Sequence, residues 1–105
     1  MSTDSSQGND LRRLHPQVWT ARATPERLTV PPLKVLAIDG TGDPNTAPEY
    51  ADAVATLYAV SYTLRFAVKK AGGEPWTVMP LEGLWWADDW SAFTGDDRSA
   101  WRWTM

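Results

Sequence analysis

The spacing of apolar positions changes three times along the chain. Residues 1–10, MSTDSSQGND, are small and polar and read as a disordered tail. Residues 11–32 show no period and carry Pro16, Pro25, Pro31 and Pro32, which predicts an irregular arm whose Leu14, Val18, Trp19 and Leu28 can lie against a domain. Residues 33–39, LKVLAID, are a short and nearly continuous aliphatic run between Pro-Pro and Gly40. That pattern predicts a strand, central in its sheet and covered on at least one face. The dense turn signal of residues 40–45, GTGDPN, follows.

A helical period then takes over. Tyr50, Val54, Leu57, Ser61, Leu64 and Val68 alternate four and three apart, and Ala53, Val60 and Ala67 widen the stripe. Thr46-Ala-Pro-Glu49 fits a capping box with Pro48 in the first turn, where a missing N–H does no harm. Lys69 and Lys70 suit the negative end of the dipole, and Gly72-Gly73 stop the helix. A helix over 47–70 is predicted.

Residues 77–86, TVMPLEGLWW, read as a second strand, with Pro80 and Gly83 marking an edge or a bend. Residues 87–97 form an acidic loop holding Trp90 and Phe93. Residues 99–105, SAWRWTM, alternate with period two, Trp101 and Trp103 on one face and Arg102 and Thr104 on the other. They predict a third strand, in an antiparallel hairpin with the second. The order strand-helix-strand-strand gives an α+β class: an antiparallel sheet with one long helix on one face, spanning 33–105 behind a tail and arm over 1–32. Such a thin sheet calls for a second copy or a longer design to complete it.

Composition narrows the chemistry. The chain has 105 residues, enough for one small domain, with 43% hydrophobic and 22% charged positions, which suits a globular protein and not a disordered one. It has no Cys, which excludes disulfides and thiolate chemistry, and its single His15 argues against a His-rich metal site or a Ser-His-Asp triad. The net charge is -3, the wrong sign for general nucleic-acid binding. Residues 71–105 hold Glu74, Glu82, Asp88, Asp89, Asp96 and Asp97 against Arg98 and Arg102, so anions are repelled there and cations or neutral apolar molecules are not. Neither a membrane span nor a signal peptide is legible, and a cytoplasmic protein is expected. Seven residues are Trp, and five of them fall between Trp85 and Trp103.

The run AIDGTGDPN, the helix text EYADAVATLYAVSYTLRF, the segment TVMPLEGLWW and the ending SAWRWTM, in this order, resemble the GyrI-like small-molecule-binding family. The likeness covers 33–105 and extends weakly into the arm. It implies strand-helix-strand-strand units that occur in pairs, with a ligand pocket where two units meet. It also implies binding of hydrophobic, often cationic, compounds. The subgroup most resembled includes hydrolases that open the cyclopropane ring of DNA-alkylating natural products. Only the first unit is present in these residues, so a complete pocket calls for a homodimer, a separate chain or a second GyrI-like unit.

Several residues then become candidates. Glu82, between Pro80 and Trp85-Trp86, would be partly desolvated beside large aromatics and suited to pair with a cation or to act in general acid–base catalysis; an exposed edge-strand Glu is the plainer alternative. Tyr58 and Tyr62 stack on one helical face, with Tyr62 the better candidate for a pocket and Tyr58 for the core. Trp85 and Trp86 must face opposite sides of the sheet, while Trp101 and Trp103 share one. The side away from the helix is where a ligand or second unit would sit, unless all four fill a small core. Residues 40–44 lack the spacing and Lys of a phosphate loop and read as a turn. The paired aspartates fit no EF-hand and read as a solvated loop, so no metal and no cofactor is expected. Three functions follow: a binder of hydrophobic small molecules, a hydrolase of electrophilic rings using Glu82, or an interaction module that takes no ligand.

Overall fold

The computed structural model describes residues 10–105. The chain divides into two compact units, one made of the residues up to Val35 with Tyr62–Met79, the other of Leu36–Ser61 with Pro80–Met105. The second unit holds the sheet. Strands β1 (Asp39–Thr41), β2 (Leu84–Trp86) and β3 (Arg102–Thr104) pair antiparallel in the order β1-β3-β2. The class is α+β, as the pattern of residues predicts.

The strands are shorter than their sequence signals, and for one reason. Asp39 lies opposite Thr104 and Leu84 lies opposite the same Thr104. The Ile38 N–H donates to the Met105 carbonyl at 2.9 Å, and the Met105 N–H donates back at 3.0 Å. The ladder thus closes at the Ile38–Met105 pair, and residues 33–37 pair with no strand among the described residues. Residues 77–83 likewise extend beyond the β2 pairing. The run 33–39 is therefore not a central strand: β1 is an edge and β3, the strand with clean alternation, is central. Gly40 and Thr41, expected in a turn, belong to β1. The turn begins at Gly42, whose φ of 120° suits glycine.

That turn leads into the long helix. The Asp43 carboxylate accepts the Asn45 N–H at 2.9 Å, and the Asp43 carbonyl accepts the Ala47 N–H at 2.7 Å. Helix α3 runs over Pro48–Lys70, preceded by two short helices, α1 (Leu11–Leu14) and α2 (Pro16–Trp19). Pro48 opens α3, so the residue before it is Ala47 and the capping box expected from Thr46 is not formed; Asp43 shapes the entry instead. At the other end Gly72, with φ 85°, and Gly73 return their N–H groups to the Lys69 and Val68 carbonyls.

Within the sheet-bearing unit, Ala53 and Leu57 of α3 pack on Trp103 and Met105, with Ile38 and Tyr50 against them. Trp103 is 1% exposed and is the centre of this core. The helical stripe holds from Tyr50 to Ser61, but Leu64 is exposed.

In the other unit the Asp10 carboxylate caps α1, accepting the Arg12 N–H at 3.0 Å and the Arg12 guanidinium at 3.2 Å. Asp10, expected in the disordered tail, is buried; residues 1–9 of that tail lie outside the described residues. The arm holds two short helices, with Val18 and Trp19 half-buried and Leu14 and Leu28 exposed. Arg65 donates from Nε to the Trp76 carbonyl at 2.9 Å and lies 5.8 Å from the Phe66 ring centroid.

Candidate functional site: an aromatic ladder on the sheet

Pairing places Trp85 directly opposite Trp103. Residues opposite each other share a face, so both rings turn toward α3, and alternation sends Trp86 to the far side. Tyr50 rises from the first turn of α3 between them. Its ring stands edge-on to Trp103 at 5.4 Å and tilted to Trp85 at 5.8 Å. Trp85 meets Trp101 at 6.0 Å, Trp101 meets Phe93 at 5.0 Å, and Phe93 meets Trp90 at 5.5 Å. Six aromatic rings thus form one ladder, from fully buried Trp103 to Trp90, which is 70% exposed. All the spacings fall in the range where ring pairs attract beyond simple burial.

The acidic loop builds the outer half of this ladder. Asp89 accepts the Ser91 N–H at 2.9 Å and starts a 3-10 helix over Trp90–Phe93. The Trp101 indole N–H donates to the Ala92 carbonyl at 2.9 Å, which ties that helix to the sheet. Asp97 accepts the Ser99 N–H at 2.9 Å, and the Trp101 N–H donates to the Arg98 carbonyl at 3.1 Å. This tight turn carries Arg98 back over the Trp101 ring, its guanidinium carbon 5.2 Å from the centroid. Hydrogen bonds from the Ser91 backbone and side chain hold the Asp89 carboxyl below the ordinary aspartate range, and those from the Ser99 side chain and backbone do the same for Asp97. Both are anions at neutral pH.

The far face of the sheet is different. Trp86 pairs in register with Arg102, which donates to the Asp88 carboxylate at 2.8 Å, and Leu84 pairs with Thr104, whose hydroxyl donates to Asp39. Of Trp85, Trp86, Trp101 and Trp103, Trp86 is the one on this side, opposite Trp85 as strand alternation predicts. Strand alternation and the helix contact of Tyr50 put the others on the covered side.

The remaining candidates are not drawn into the ladder. Glu82 is exposed and lies two residues ahead of β2, so the desolvated setting expected for it is not formed. Tyr58 and Tyr62 are 44% and 45% exposed on α3, and no side-chain hydrogen bond or ion pair engages them or Glu82 among the described residues. Tyr58, assigned to the core, is outside it. An open apolar groove of about 200 Å³ is lined by Leu36, Ala37, Ile38, Thr56, Leu57 and Val60, none of them a residue singled out for ligand binding. In the opposite sense, the ladder rings Tyr50, Trp90 and Phe93, and Arg98 over the Trp101 ring, are residues that the strand pattern alone passes over. The signal for three of them was local: Asp89-Trp-Ser91 and Asp97-Arg-Ser99 are Asx-turn sequences that fold aromatic and cationic neighbours back on themselves.

No family model, no curated protein and no solved structure matches this chain.

Proposed function

We propose that the chain is a GyrI-like unit that binds hydrophobic small molecules, cationic ones above all, on the exposed half of the aromatic ladder. The observation that carries this reading is Arg98 seated over Trp101. The chain's own guanidinium occupies a ring face in the way a ligand cation would, worth about 0.5–1 kcal/mol at an exposed site. In the same loop Asp89 and Asp97 are ionised and Asp96 is exposed, which raises the local concentration of cations. Trp85, Phe93 and Trp101 are only partly covered and supply flat apolar area beside that charge. Pairing of the unit with a second copy or a second GyrI-like unit would deepen this surface into an enclosed pocket.

A titration with tetraphenylphosphonium, followed by tryptophan fluorescence, tests the reading. Saturable quenching is expected, together with at least tenfold weaker response to neutral triphenylphosphine oxide. Equal response to both compounds refutes cation selection, and no saturable response to either refutes the binding surface. Ring-opening hydrolysis draws no support from the arrangement of Glu82, Tyr58 and Tyr62, so the binding reading stands ahead of it.

A further inference from the structure

A second surface, separate from the ladder, lies along the free edge of β1. In an antiparallel ladder alternate residues bond to the partner strand and the others turn their N–H and C=O outward. Ile38 is bonded to Met105, Gly40 lies opposite Trp103, and the Gly42 N–H donates to the Trp101 carbonyl at 2.8 Å. Ala37, Asp39 and Thr41 therefore turn their backbone groups away from β3. All three are exposed, and among the described residues no strand pairs with β1 on that side. Beside this edge runs the apolar groove, walled by Thr56, Leu57 and Val60 of α3 and by Leu36, Ala37 and Ile38.

We propose that this edge and groove take an extended peptide as an added strand, one alternating apolar and basic residues. Backbone groups of the peptide would pair with those of Ala37, Asp39 and Thr41, the general mode of strand addition. Its residues on the α3 side would drop small apolar side chains into the groove. Its residues on the other side would lie against Asp39, which sits on the face opposite the core and has no ion pair among the described residues. A lysine there answers that charge. A second copy of the chain is the poorer occupant: two β1 edges paired antiparallel about Asp39 set their carboxylates directly opposite, and facing like charges are destabilising. Asp39 thus acts as a guard against self-pairing while selecting a basic partner.

The test is a titration of the full chain with a blocked hexapeptide alternating valine and lysine, followed by amide resonances. Saturable shifts centred on Ala37, Asp39 and Thr41 are expected, with slowed hydrogen exchange at those amides. The valine–glutamate counterpart should bind at least tenfold more weakly, and Asp39→Asn should erase the difference between the two peptides. Ala37→Pro removes an outward N–H without touching the β1–β3 ladder and should cost tenfold or more. Val60→Asp, at an exposed groove position, should do the same if the proline variant fails to fold. Absence of saturable shifts at β1, equal binding of both peptides, or self-association of the free chain through β1 overturns the proposal.

Discussion

Gly40 and Trp103 show how tightly single residues fix this sheet. A Cβ built on Gly40 would lie 2.1 Å from the Trp103 ring, far inside any real contact. The strand is able to pass there only because glycine carries no side chain. Gly40→Ala should therefore cost about 3 kcal/mol or more, as overpacking that no rotamer relieves, and a denaturant titration reads it directly. Trp103 also carries a buried indole N–H with no hydrogen-bond partner. Trp103→Ala should cost about 4 kcal/mol through the cavity it leaves. Trp103→Phe should cost much less, because it keeps most of the ring while removing a donor that burial penalises. Equal losses in the two variants would show that the N–H has a partner in solution.

The 3-10 helix Trp90–Phe93 and the Asp97 turn are held by carboxylates whose protonation is shifted by folding. In the folded chain Asp89 and Asp97 titrate below the ordinary value of 3.8, so the unfolded state takes up protons first as pH falls. Their contribution is complete above that value and is lost as pH drops through the lower, folded values. Tryptophan emission should accordingly report loosening of the loop below about pH 4. The double variant Asp89→Asn with Asp97→Asn keeps side-chain acceptors but does not titrate, and should flatten that acid limb. The same elements explain what the sequence made legible. Helix α3 was readable because period, proline and glycine signals agree at every turn, and β3 because its alternation matches the burial of Trp103 and Met105 against exposed Arg102. The ends of β1 and β2 were not, since strand length depends on register with β3, a long-range property that no local pattern carries. For the site, Trp85 and Trp101 were legible from composition. Their ladder partner Tyr50 was not, because its ring contacts arise from tertiary approach rather than from spacing.

At the scale of the whole chain, two compact units are built from interleaved segments, and the aromatic ladder belongs entirely to the one containing the sheet. Among the described residues no helix is long and apolar enough to cross a membrane. The ladder joins the core to the surface in one run of rings. Its buried end stabilises the β3–α3 contact, while its outer end presents aromatic faces within an acidic loop. If that outer end is a cation site, Arg98 is its resident competitor, and removing it should favour an external cation even though the net charge changes by a single unit. The most direct measurement is the tetraphenylphosphonium titration repeated on Arg98→Ala. Binding several-fold tighter than in the native chain is expected, with Trp101→Ala abolishing the gain. Affinity that is unchanged or weaker in Arg98→Ala would contradict it.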